Sequence, residues 1–243
     1  MRRRVLWGFL IVQLLLLGVA AAPSSASAVS GPHETIDNVL STTQPNSPTG
    51  FSFSATYHAA GDPSAYPPYM RQMTSYNPDG LRWDTSVPAA CTASDLELAT
   101  LGAAACPAGS RLGGGSATAS VMGSAPTTTQ LDFFNNRNGQ IILLRSPLIA
   151  TVARGKIFPD GSVEFASPTC FPYVNPPGCA TDNVLQLASS ITVAPYTKNV
   201  DGIMRSYMTT PATCPSTGHW SDPITLWWAD GTVDTVVIAE PCT

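Results

Sequence analysis

Few side chains in this sequence are suited to acid–base or nucleophilic chemistry. There are three histidines. His219, in the run TGHWSD, sits close to Ser216, Ser221 and Asp222, the residue types of a serine hydrolase. Such an enzyme needs a nucleophile held by a base that a third group orients. Residues crowded onto one turn rarely reach that geometry, and no G-x-S-x-G elbow occurs. His33 lies in a polar, proline-dotted stretch, and His58 follows an apolar run. A glycosidase would need two acids facing each other across a cleft. Asp79, Asp160, Asp201 and Asp230 each precede a glycine and read as turn residues, which leaves Asp84, beside Trp83, as the least explained acid. No catalytic residue, metal or cofactor is assigned on this basis.

Binding chemistry is better represented. Trp227 and Trp228 are neighbours, and neighbours in a strand point to opposite faces. A two-residue turn at Asp230-Gly231 groups Ile224, Leu226 and Trp228 with Val233, Thr235 and Val237, and sets Trp227 opposite Asp234. A flat aromatic beside a carboxylate is a platform for a sugar: the ring covers C–H surface while the acid accepts hydroxyl hydrogen bonds. The segment YPPYMRQMTSY, with Tyr66, Tyr69 and Tyr76, offers a second aromatic surface of the composition found at protein interfaces.

The glycine-rich run GSRLGGGS at 109–116 invites a phosphate-binding reading, which fails on context. A P-loop requires a lysine after the glycines and a long helix beyond them, whereas SATASVMGS follows here and is strand-like. The preceding Ser94–Glu97 fits the capping box S-x-x-E, which predicts one short helix near 94–102. A Cys91–Cys106 link would close that excursion into a stapled corner.

The elements around these residues read as β-structure. From Phe51 onward short apolar or alternating runs recur, ended by Asp-Gly at 79–80, 160–161, 201–202 and 230–231 and by Asn-Gly at 138–139. A turn at 138–139 puts Asp132 opposite Arg145, and one at 159–161 puts Lys156 opposite Glu164. No apolar period of helical length appears. The expected fold is an all-β antiparallel sandwich, Ig-like or jelly-roll-like, of about 9–12 short strands over residues 50–243. Residues 29–49 read as a loose leader with one edge segment at 35–40.

The first 28 residues have three arginines, an apolar run and an Ala-Ser-Ala site, the order of a secretory signal. The run is long enough for a marginal membrane anchor, but the PSSASA tail favours cleavage after Ala28. Removing it deepens the acidic excess of a chain with 12 basic and 16 acidic residues. The remaining cations are scattered singly, which argues against a nucleic-acid partner. Six cysteines, Cys91, Cys106, Cys170, Cys179, Cys214 and Cys242, suit an oxidising compartment. Of the 15 possible connectivities, neighbour pairing (91–106, 170–179, 214–242) is the simplest.

The order P-x-x-C-T at 88–92, C-P-x-x-S-x-x-G-x-G at 106–115, CPSTGHW at 214–220, WADGT at 228–232 and a closing Pro241-Cys242 resembles a group of exported, β-rich bacterial proteins of unassigned function. The resemblance implies cysteine, turn and tryptophan placement and brings no catalytic residue with it. The expected role is therefore a non-enzymatic structural or interaction module, outside the cell or on its envelope, with an extracellular protein as partner. A carbohydrate-binding module for cell-wall glycan, using Trp227 and Asp234, is the second reading and a secreted hydrolase the third.

Overall fold

The computed structural model describes residues 28–121, 123–146, 149–166, 169–172 and 184–243. The signal segment and the side chains of Cys170 and Cys179, with their expected link, lie outside the described residues. In chain order the elements are β1 (Val29–Ser30), β2 (Glu34–Leu40), β3 (Phe51–Tyr57), β4 (Met70–Ser75), β5 (Arg82–Trp83), α1 (Asp95–Leu101), β6 (Arg111–Val121), β7 (Thr127–Asn136), β8 (Gly139–Arg145), β9 (Ile149–Ile157), β10 (Val163–Ala166), β11 (Thr169–Pro172), β12 (Val184–Val193), β13 (Thr197–Val200), β14 (Ile203–Ser206), β15 (Met208–Thr209), β16 (His219–Trp228) and β17 (Val233–Pro241).

The fold is all-β, but most strands form one continuous antiparallel sheet in the order β1-β2-β3-β12-β6-β7-β8-β9-β10-β4-β16-β17, with β11 beside β9, while β13–β14 and β5–β15 pair separately. This sheet curls until β1 and β2 pack against β17, giving a nearly closed barrel in place of two stacked layers. Residues 29–49, expected as a loose leader, supply the β2 side of that closure. Its sequence ETIDNVL buries every second residue, so Glu34, Ile36, Asn38 and Leu40 all point inward.

Outward faces are largely serine and threonine, which pair across strands, as at Ser116–Ser190 (3.1 Å) and Thr118–Thr128 (2.7 Å). One outer region is apolar: Phe134, Ile141, Leu143 and Val152 lie beneath the capped corner. Ser94 caps α1 and Glu97 returns the bond, as the sequence predicts. Arg154 holds the corner down through Asp95 (2.6 Å) and the Ala93 carbonyl (2.7 Å). Cys91 and Cys106 are bonded, as are Cys214 and Cys242. The glycine-rich run becomes β6, where a Cβ on Gly113 would stand 2.1 Å from the Thr192 carbonyl oxygen of β12. Replacing Cys91 and Cys106 together by serine should cost about 3 kcal/mol of unfolding free energy. Urea titration checks this, and a loss below about 1 kcal/mol would mean that the corner contributes little to stability.

Two hairpin registers differ from expectation. β7 and β8 turn on Arg137-Asn138, with Asn138 at a φ of 53°. The ladder is therefore displaced by two residues. Side chains keep their faces, but Arg145 now faces Gln130, and Asp132 pairs instead with Arg111 of β6 at 2.7 Å. The β16–β17 hairpin is displaced by one residue, and that reverses the faces of β17. Its loop is Ala229-Asp230-Gly231, with the Trp228 N–H donating to the Thr232 carbonyl (3.0 Å) and Gly231 at a φ of 91°. Asp230 favours the longer loop by accepting from both the Thr232 N–H (2.9 Å) and hydroxyl (2.7 Å). The third register, Lys156 opposite Glu164, is as expected.

Candidate functional site: the barrel interior

A barrel of this many strands has more interior than its side chains can fill unless they are large. Here β6 contributes Ala117, Ala119 and Val121 to the inner face, and β9 contributes Thr151 and Ala153. One end of the barrel is nonetheless packed solid by Leu81, Phe133, Tyr207, Met208 and Trp220. Further along the interior a cavity of about 340 Å³ remains, walled by Tyr57, Met73, Leu131, Ile142, Leu144 and Phe165 among others. Its polar exceptions include Gln72, Gln186, Thr129 and Tyr69. The Tyr69 hydroxyl is buried and has no hydrogen-bond partner among the described residues. An unpaired buried hydroxyl in a mostly apolar wall is costly for the empty protein and available to a ligand.

Beside the cavity lies a buried polar seam where β2 meets β16 and β17. It is laced by side chains: His33 Nδ1 donates to Asp234 Oδ2 (2.6 Å), Asn38 Nδ2 to Asp222 Oδ2 (2.7 Å), and the Leu40 N–H to Glu240 Oε2 (3.1 Å). Trp228 Nε1 donates to the same Asp234 oxygen at 2.9 Å. Its indole also packs against His33 (centroids 5.2 Å apart) and against Tyr57 of the cavity wall (6.1 Å). Glu34 is fully enclosed, and no donor among the described residues meets either of its oxygens at full hydrogen-bond geometry, although the His33 backbone and the Asp234 carboxylate lie beside it. Burial, reinforced by the Asp234 carboxylate, pushes Glu34 up to about 7. Burial also pushes Asp222 up to about 6 against the bonds from Asn38 and Ser75. For Glu240 burial dominates, resisted by the Leu40 N–H, and the result is about 8. Burial pushes the Tyr57 hydroxyl up to about 12.

The residues singled out from sequence are dispersed. With the β17 register reversed, Asp234 points inward beside Trp228 and opposite Leu226, whereas Trp227 faces outward opposite Val233. The two lie on opposite faces and form no sugar platform. Tyr66 is on the surface, while Tyr69 lines the cavity. His219 and Ser221 point outward and Asp222 inward, so the hydrolase trio is split between faces. His219 Nδ1 instead donates to the Thr217 carbonyl (3.0 Å) and His58 Nδ1 to that of Ala59 (2.9 Å). Asp84 pairs with Arg205 at 2.6 Å. His33, Glu34 and Glu240 have no motif around them. The one available signal was the alternation of β2, which places Glu34 and Asn38 in line with Ile36 and Leu40. Comparison with protein families, with curated proteins and with solved structures finds no match.

Proposed function

We propose that the chain is a non-enzymatic binding module that holds a small, mostly apolar molecule inside its barrel, with a hydrogen-bonding group of the ligand meeting the Tyr69 hydroxyl. The cavity of about 340 Å³ carries this reading. It is of the size small-molecule sites have, and its wall is predominantly apolar with polar groups interspersed. Burying apolar ligand surface would contribute roughly 25 cal/mol per Å². Secretion, suggested by the basic-then-apolar first residues and the cysteine content, would make this an extracellular or envelope carrier of a small molecule, in place of the protein-interaction module expected from sequence.

The apolar dye N-phenyl-1-naphthylamine tests the site. Its fluorescence should rise on mixing with the oxidised protein, and long-chain alcohols or fatty acids should displace it. Ala119→Phe fills the cavity and should weaken dye binding at least about tenfold. Tyr69→Phe should leave the dye bound but weaken a hydroxyl- or carboxyl-bearing competitor about fivefold to tenfold. Unchanged dye binding in Ala119→Phe would move the ligand out of the barrel.

A further inference from the structure

A second site lies at the end of the polar seam. A His33 ring nitrogen, a Glu34 oxygen and an Asp234 oxygen all fall within 4.8 Å of one another, and all three residues are buried. The cluster contains one feature that its own hydrogen bonds do not explain. His33 and Trp228 satisfy Asp234, but Glu34, at 0 % exposure, brings an oxygen into the same space, and no donor among the described residues meets its carboxylate at full hydrogen-bond geometry. An enclosed carboxylate without a donor is expensive for a fold to keep, unless a cation or proton completes it. The turn before β2 is also shaped around this carboxylate. A Cβ on Gly31 would stand 2.0 Å from Glu34 Oε1, so only glycine leaves that oxygen its position.

We propose that His33, Glu34 and Asp234 form a site for a divalent transition-metal ion. One imidazole nitrogen and two carboxylates supply a borderline nitrogen–oxygen donor set, which suits Zn²⁺ or Mn²⁺ better than it suits the all-oxygen preference of Ca²⁺. The two ionised acids balance a 2+ charge, which removes the uncompensated buried charge. Tetrahedral Zn²⁺ with bonds of about 2.0–2.2 Å holds its ligands about 3.4 Å apart. The His33–Asp234 pair, 2.6 Å apart as a hydrogen bond, opens by less than about 1 Å to admit it. The ion then replaces the proton between those two groups. Trp228 Nε1 remains on Asp234 as the outer partner that fixes the carboxylate's orientation. Three protein ligands leave one position for water or for a ligand group.

The test uses the full oxidised chain, stripped with EDTA and titrated with ZnCl₂, then MnCl₂, by calorimetry near neutral pH. One Zn²⁺ should bind per chain. Glu34→Gln and Asp234→Asn should each weaken it at least about 100-fold, and Trp228→Phe about tenfold. Gly31→Ala, which keeps every ligand type but displaces the Glu34 carboxylate, should also weaken binding. The His58→Ala, His219→Ala double variant should bind like the parent. Should the buried variants fail to fold by circular dichroism, zinc-edge absorption on the loaded parent decides, with one imidazole, oxygen ligands and no sulfur expected. No Zn²⁺ uptake by the parent, full affinity in Glu34→Gln, or loss in the His58, His219 variant would each overturn the assignment.

Discussion

Trp228→Ala should lower the free energy of unfolding by about 3–5 kcal/mol, the range for removing a buried large aromatic, while Trp227→Ala should cost less than about 1 kcal/mol. The neighbours differ in face and in what they hold. Trp228 is 2 % exposed, packs between His33 and Tyr57, and donates to the buried Asp234 carboxylate. Losing it opens a cavity and removes one of that carboxylate's two donors. Trp227 is half-buried on the outer face. Trp228→Phe separates the two contributions: keeping most of the packing but not the N–H, it should cost about 1–2 kcal/mol. Urea titration followed by far-ultraviolet circular dichroism measures all three. Equal losses at 227 and 228 would contradict the placement of Trp228 on the inner face of β16 and Trp227 on its outer face.

The second large effect is a stability that falls as pH rises. Burial pushes Asp222 up to about 6, Glu34 to about 7 and Glu240 to about 8. Each acid therefore binds its proton more tightly folded than unfolded. Their contribution is complete below the unfolded carboxylate range, near pH 4, and is lost as pH climbs through those raised values. Glu240 alone should account for about 4 kcal/mol between about pH 5 and about pH 9. Glu240→Gln should flatten that part of the profile, since the amide oxygen can still accept from the Leu40 N–H. Acids held down at the surface act in the opposite direction at low pH: Asp160, stabilised by the Ser162 hydroxyl and N–H, is one. The maximum should therefore lie near pH 5. Unfolding free energies measured without metal that rise from pH 5 to pH 8.5 would refute the enclosed seam.

The turns and the capped corner were legible because their information is local. Ser94 and Glu97 lie within one helical turn, and Asp-Gly marks a reversal wherever it stands. Register was less legible. Whether a loop has two or three residues rests on a contact such as Asp230 with Thr232, and one residue decides whether Asp234 sees solvent or His33. Closure was not legible at all. Alternation along β3 or β12 reads the same in a sandwich and a barrel, because each puts one face inward. The candidate metal site depends on partners at opposite ends of the chain, and no window of sequence contains both. Pro223 further hid the first half of β16, since proline within a run argues against a strand.

The seam also sets an order of assembly. Its cross-links join residues 201, 184 and 200 positions apart: His33 to Asp234, Asn38 to Asp222, and Leu40 to Glu240. The hairpins of β7 to β10 can form as soon as they are made, but β2 has to wait for β16 and β17. Contacts of such range make folding slow. Until they form, the inward face of β2, with Glu34 and Asn38 between Ile36 and Leu40, has nothing opposite it. A ribosome-bound nascent chain that lacks β17 should thus remain open and protease-sensitive along β2, however completely its middle hairpins have folded.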